Sequence, residues 1–187
     1  MRVGVPHGPL AELPQLDGLM APHQLVRSRW RCRRDLQLEA LLVWGRKPSG
    51  RWAEALAQER GLPLWRCEDG FLRSLGSAAE EPSLSLVLDQ QGIYYDATRP
   101  SELDGLLPLR LSEEQHLRAA AVQQQWRQSR LSKVNNAQES PAPSEPFVLV
   151  VDQTPGDLSL IWGQASTMRL PMRCKAPWPI TQAPRWW

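Results

Sequence analysis

Histidine, cysteine, tyrosine and phenylalanine are all scarce in this 187-residue chain, which has three, three, two and two of them. Cys32, Cys67 and Cys174 are far apart, no CxxC pair occurs, and His7, His23 and His116 are scattered. That pattern argues against a disulfide framework and against a cysteine–histidine zinc site, and it predicts reduced thiols in a cytoplasmic setting. Long hydrophobic runs are missing as well. The best apolar stretches, Leu41–Trp44 and Phe147–Val151, fall far short of the ~20 residues of a membrane span. The opening MRVGVPHGPLAELPQL has no apolar core of ~7–15 residues, so it is not read as a signal peptide. An excess of one charge is lacking too. Lys plus Arg number 22 and Asp plus Glu 20, a net +2, so bulk charge points to no particular partner. What remains is a soluble chain with 42% hydrophobic residues, enough for a core.

Apolar runs alternate with helical patterns, which predicts a layered α/β domain. Val3–Val5 and Ala40–Trp44 read as strands. Ser49 is expected to cap a helix over Arg51–Arg60, with Trp52, Ala53, Ala55 and Leu56 facing inward and Gly61 and Pro63 ending it. Leu64–Cys67 is the next strand, and strand–helix–strand over so short a span predicts a parallel βαβ unit. Leu84–Leu88 and Ile93–Tyr95 are expected to form a hairpin across Asp89–Gly92. A short helix opens at Pro100–Ser101. A longer one runs from Glu113 to about Ser129, with Ser112 and Gln115 at capping-box spacing and Leu117, Ala121, Val122 and Trp126 as its buried stripe.

Residues 1–135 therefore read as one Rossmann-like α/β domain. Residues 136–146, NAQESPAPSEP, hold three prolines and no large apolar side chain, the composition of a linker. Phe147–Val151 has the continuous apolar character of a buried parallel strand, so residues 147–165 read as the start of a second domain. Ser166–Trp187 is unlike the rest. It holds three of the nine tryptophans, four prolines and the basic residues Arg169, Arg173, Lys175 and Arg185, with no acidic residue after Asp157. No helical or strand period fits it. A shifted reading frame is the favoured explanation, and a genuine basic aromatic tail docking on a partner or membrane surface is the alternative.

Four clusters offer chemistry, and each also has a plain structural reading. Glu68-Asp69-Gly70 with Arg73 follows a predicted parallel strand, where α/β sheets bind ligands; Asp69-Gly70 also suits a tight turn. Tyr94, Tyr95, Asp96 and Arg99 form a second cluster, in which the charged pair more often fixes a turn. Asp152-Gln153-Thr154-Pro155-Gly156-Asp157 leaves the FVLVV strand. A carboxylate there suits a covalent glycosyl intermediate, while Gly156 equally suits a turn at an unusual backbone angle. Arg27, Arg29, Arg31, Arg33 and Arg34 crowd into eight residues. Such runs are usually solvated surface, and sometimes sites for phosphate or anionic headgroups. No RNA-binding or helix-turn-helix signature accompanies them, so nucleic acid is not expected.

Taken in order, WGRKPS (44–49), CEDGFLRSLG (67–76), PSLSLVLDQQGIYYDATRPSEL (82–103), LSKVN (131–135) and FVLVVDQTPGD (147–157) resemble the blocks of KpsC-type capsule-polysaccharide proteins over roughly residues 1–165. The resemblance implies a retaining β-Kdo glycosyltransferase of GT-B-like architecture. In it this chain supplies the Rossmann-like acceptor-side domain and only the first strand of the second domain. CMP-Kdo would be the donor substrate, a lysophosphatidylglycerol-linked Kdo chain the acceptor, and no cofactor or metal is implied, since a CMP-sugar carries a single phosphate. Asp157 matches the nucleophile position, Glu68, Asp69, Asp152 and Gln153 would line the substrate cleft, and Arg73 would meet the Kdo carboxylate. Such proteins would be cytoplasmic, touching the inner membrane and the capsule export machinery peripherally.

Three departures from the family pattern stand out. Val134 replaces an aromatic residue, Pro155-Gly156 stiffens the loop before Asp157, and the donor-side His-Pro block is absent. An inactive, truncated transferase is therefore the expectation. The alternative is a non-catalytic acceptor-side module that holds a lipid or glycan for a partner subunit.

Overall fold

A computed structural model of the protein describes residues 1–76, 81–134, 144 and 153–165. Strands β1 (Arg2–Val5), β2 (Gln24–Arg27), β3 (Ala40–Trp44), β4 (Leu64–Asp69) and β5 (Leu86–Asp89) form one sheet in the order β2-β1-β3-β4-β5. The first four run parallel and β5 is antiparallel to β4. Helix α4 (Arg51–Arg60) crosses from β3 to β4, and these strands pair from Leu41 opposite Leu64 to Trp44 opposite Cys67. This is the expected βαβ unit of a Rossmann-like fold.

The sheet is covered on both faces, and the period of two along β3 shows how. Ala40 and Leu42 join a core with Val3, Val5 and residues from α1 (Pro9–Glu12) and α2 (Leu16–Leu19). Leu41 and Val43 point the other way, to Cys32 of α3 (Arg29–Arg34) and to Ala53, Leu56 and Ala57 of α4. Leu41 and Leu42 are wholly buried, each contributing about 1.5–3 kcal/mol. Such double-sided burial is why β3 reads as an unbroken apolar run.

Four local expectations are corrected. Ser49 caps nothing: Pro48–Gly50 is a 3₁₀ turn leading into α4, and the N-cap is Gly50 without a side-chain bond. Proline with its preset φ starts that turn one residue earlier. Ala55 is exposed, and the inward face is Ala53, Leu56 and Ala57. Ile93–Tyr95 forms no strand, so there is no hairpin. Asp89 accepts from the Gln91 and Gly92 amides at 2.9 and 2.7 Å, an Asx-type turn that diverts the chain, and β5 pairs with β4 instead.

The fourth correction concerns the buried stripe expected on the long helix. Helix α6 (Glu113–Gln128), which follows the short α5 (Glu102–Leu106), has no buried residue. Leu117, Ala121 and Val122 are exposed and Trp126 is half-buried. The helix is started by its Ser112–Gln115 capping box, a local device that needs no tertiary partner. Phe147–Val151, most of the linker and Ser166–Trp187 lie outside the described residues.

Candidate active site

Because β1, β3 and β4 are parallel, their carboxyl ends open onto one edge of the sheet, where α/β folds place ligands. At that edge the Trp44 indole donates to Glu68 Oε1 at 2.7 Å, joining the ends of β3 and β4. The next residue, Gly45, has φ +43, and a Cβ there would lie 2.2 Å from the Tyr95 hydroxyl and 2.9 Å from Glu68 Oε2. Only glycine suits that backbone angle and that space. The Arg46 amide then donates to the Tyr95 hydroxyl at 2.9 Å. The turn carrying Tyr95 is thereby pinned over the end of β3.

Glu68 and Asp69 are adjacent carboxylates with different partners. Burial pushes Glu68 above the ordinary carboxylate range, although the Asp69 amide and the Trp44 indole, which favour the anion, partly oppose this. Asp69 accepts from the Ser83 hydroxyl and lies 3.2 Å from Arg73 Nε. Arg73 is buried, and its Nη1 donates to Ser74 Oγ at 2.6 Å and to the Glu81 carbonyl at 2.9 Å. Its guanidinium thus ties together the loop after β4. The Arg73 amide donates to the Lys133 carbonyl at 2.9 Å, and Ser74 bridges to Val134 in parallel. Lys133 and Val134 are therefore laid alongside the residues after EDGF.

Asp157 is the N-cap of α7 (Leu158–Trp162). Its Oδ1 accepts from the Ser159 amide at 2.8 Å and its Oδ2 from the Gln153 side-chain amide at 2.8 Å. The Ser159 amide bond is the main cause holding Asp157 below the usual carboxylate range, outweighing its partial burial; Gln153 and Lys133 add to it. Gly156, at φ +85, makes the turn into the cap.

These parts meet. Lys47, Glu68, Asp69, Tyr94, Tyr95, Lys133, Gln153, Asp157, Leu158 and Ser159 line one open cleft of about 490 Å³. An adjoining hollow of about 420 Å³ shares Lys47, Glu68 and Asp69 and reaches Trp44, Arg73 and Ser83. Glu68, Asp69, Gln153 and Asp157 are thus brought to one cleft across eighty-odd residues of chain, whereas Arg73 lines only the neighbouring hollow. Asp152 lies outside the described residues.

Sequence reasoning missed Lys47 and Lys133 as cleft residues; Tyr94 and Tyr95 stood in the second cluster but were not assigned to this cleft. Tyr94 packs edge-on to Tyr95 at 5.5 Å and near Phe71 at 6.4 Å. Burial raises the Tyr95 hydroxyl to about 12. The available signal for the lysines was position: Lys47 lies in WGRKPS and Lys133 in LSKVN. Among the described residues no group of three or more histidine, cysteine or acidic side chains is placed to hold a metal ion.

Adjacent carboxylates, basic residues and aromatic rings gather at the strand edge of a Rossmann-like α/β domain, and the comparisons with known proteins say which class of domain it resembles: a KpsC glycosyltransferase domain. A family model for capsule polysaccharide biosynthesis proteins matches residues 39–120. The chain belongs to the capsule polysaccharide proteins of the KpsC/LipA type.

It is 36% identical over 178 residues to the capsule polysaccharide modification protein LipA of Neisseria meningitidis serogroup B, a match covering 89% of this chain and 24% of that protein. A lipopolysaccharide-processing protein, LpsZ, of Rhizobium meliloti is 38% identical over 137 residues, covering 68% of this chain and 31% of its own length. Among solved structures, the β-Kdo 2,4 transferase of Thermosulfurimonas dismutans KpsC matches with a TM-score of 0.74 and 35% identity, covering 89% of this chain and 53% of that one. The β-Kdo 2,7 transferase of the same protein matches with a TM-score of 0.56 and 26% identity. The chain thus spans about a quarter of the length of the LipA relatives and about half that of the solved KpsC chains. It is homologous to Kdo transferases of capsule polysaccharide biosynthesis.

Proposed function

We propose that this chain forms the acceptor side of a retaining β-Kdo transferase module that takes Kdo from CMP-Kdo and passes it to a Kdo chain on lysophosphatidylglycerol. The observation that supports this most is the convergence of Asp157 and Glu68, far apart in the chain, on one cleft. Their proton affinities are shifted in opposite directions, and such a division suits two carboxylates with two roles.

Asp157, held ionised, attacks the anomeric carbon of the bound sugar; the bond to CMP breaks, and CMP leaves with the electron pair. The acceptor hydroxyl then attacks the same carbon from the other side. The bond to Asp157 breaks, the hydroxyl proton passes to Glu68, and two inversions give net retention. Glu68 suits the base role because its raised pKa lies nearer the working pH than that of a solvated carboxylate. Lys47 and Lys133 offer mobile positive charge for the carboxylate of the sugar. Asp69, anchored by Ser83 and Arg73, and Gln153, bonded to Asp157, orient these groups.

The reading is tested by placing residues 1–165 of this chain in the corresponding position of the Thermosulfurimonas dismutans module and assaying transfer from CMP-Kdo. Transfer that vanishes with Asp157→Ala, and is strongly slowed in Glu68→Gln, supports the reading. Acceptor binding without any transfer by the unaltered chimera would favour the non-catalytic binding module instead.

A further inference from the structure

The arginine run takes no part in the cleft reading, and the structure gives it a definite surface. Within α3 only Cys32 is buried. Trp30 is 64% exposed and Leu36, just past the helix, is 85% exposed. Around them the arginines fall into two groups. Arg27 is spent on Asp17 and Arg33 on Glu59, each through two hydrogen bonds of 2.9–3.1 Å. Among the described residues no carboxylate pairs with Arg29, Arg31 or Arg34. Asp35, at the C-cap of α3, is already held by Arg2 and accepts from the Gln37 amide. Arg34 lies 4.5 Å above the Trp30 ring and Arg29 lies 5.7 Å from the Trp52 ring. These arginines and the two tryptophans, with Arg33, line a shallow hollow of about 370 Å³.

We propose that this α3 surface docks the protein on a bilayer bearing anionic phospholipid headgroups. Guanidinium groups without a carboxylate partner, of which Arg29 also bonds the His7 ring, match phosphodiesters in charge and in donor geometry. An exposed indole partitions to the membrane–water interface, where its ring and its N–H are both satisfied. Leu36 decides between a bilayer and a nucleic acid. An aliphatic side chain that exposed adds nothing to a phosphate polymer, but it inserts at the headgroup boundary of a bilayer. The inference stands on this surface alone and does not depend on the transfer chemistry.

The test is sedimentation of the whole 187-residue chain with vesicles of phosphatidylcholine, with and without phosphatidylglycerol, at two salt concentrations. Binding is expected only with phosphatidylglycerol, and it should weaken as salt rises. Each arginine near an anionic surface is worth about five-fold in partitioning, so Arg31→Glu with Arg34→Glu should lower binding by about 25-fold or more. Trp30→Ala with Leu36→Ser should lower it independently while leaving the charge unchanged. All four positions are exposed, so an unchanged thermal midpoint is expected and checks that the fold is intact. Comparing variants within one chain cancels the contribution of any other basic segment. Equal binding of wild type and both variants would overturn the proposal. So would no binding to phosphatidylglycerol vesicles, or tight binding to single-stranded RNA in their place.

Discussion

The guanidinium of Arg46 stacks on the ring of Trp162 at 3.7 Å. One residue follows the end of β3 and the other ends α7, the helix capped by Asp157. Arg46 is nearly buried, 3.2 Å from Asp96 and 3.6 Å from Glu54. The Trp162 carbonyl accepts from the Ala97 amide at 2.9 Å. The same turn thus grips Arg46 from one side and α7 from the other, and that grip sets Asp157 over the cleft. Burial and neighbouring Arg66 press the Arg46 pKa down, while Asp96 and Glu54 hold it up.

Trp162→Ala should therefore loosen residues 153–165 without unfolding the sheet. The loss is about 0.5–2 kcal/mol. Hydrogen exchange at the Ala97 amide is the direct readout, since its acceptor is the Trp162 carbonyl. Exchange should quicken in Trp162→Ala, less so in Trp162→Phe, and stay unchanged at the Leu41 amide in β3.

Gly45→Ala should destabilise the protein by about 2–3 kcal/mol, since it adds both backbone strain and overlap with the Tyr95 hydroxyl. Adding Tyr95→Phe removes the overlapping oxygen and should recover part of the loss. Chemical denaturation of the two single variants and the double variant measures the coupling. Strictly additive effects would mean that Gly45 and Tyr95 do not meet.

Core and surface leucines should separate cleanly. Leu42→Ala leaves a cavity at a fully buried position and should cost about 2–5 kcal/mol. Leu117→Ala, on the exposed face of α6, should change stability by less than about 0.5 kcal/mol. Thermal unfolding of both distinguishes this packing from the buried α6 stripe that the sequence suggests.

The fold reads from the sequence wherever burial itself writes the pattern. β3 and α4 have the expected bounds because a strand covered on both faces is apolar throughout and a covered helix repeats at its own period. The pattern misleads at α6, where Leu117 and Val122 repeat correctly with nothing buried beneath them. It misleads again after β5, where one side chain, Asp89, outweighs the β-prone run Ile93–Tyr95 by binding the amides of Gln91 and Gly92. In the cleft, Glu68 and Asp69 were legible because strand ends in α/β sheets carry ligands, and Asp157 because its block resembles the family's. Lys47, Lys133 and the Arg46–Trp162 stack were not, because they depend on how the 131–134 and 153–165 segments return to the sheet, which no local period encodes.

Acid should weaken the protein through carboxylates whose folded pKa lies below the unfolded value. Asp96 is one: burial opposes its ionisation, but the Thr98 hydroxyl and amide, Arg46 and Arg99 more than offset this. Asp157 is another. Their contribution is fully present above the unfolded value of about 3.9 and is lost as pH falls through the lowered folded values. Glu68 has the opposite sign: its raised folded pKa means stability falls as pH rises from the unfolded value through the folded one. Denaturation midpoints against pH should show a shallower acid limb in Asp96→Asn, and Glu68→Gln should remove the decline on the other side.

The most direct test of the transferase reading is intact-protein mass spectrometry of the chimeric module carrying residues 1–165, incubated with CMP-Kdo and no acceptor. The account predicts a mass increase of one Kdo residue on the unaltered protein, localised to Asp157, discharged when acceptor is added and absent from Asp157→Ala. Full transfer activity in Asp157→Ala, or an adduct on a different residue, would contradict it.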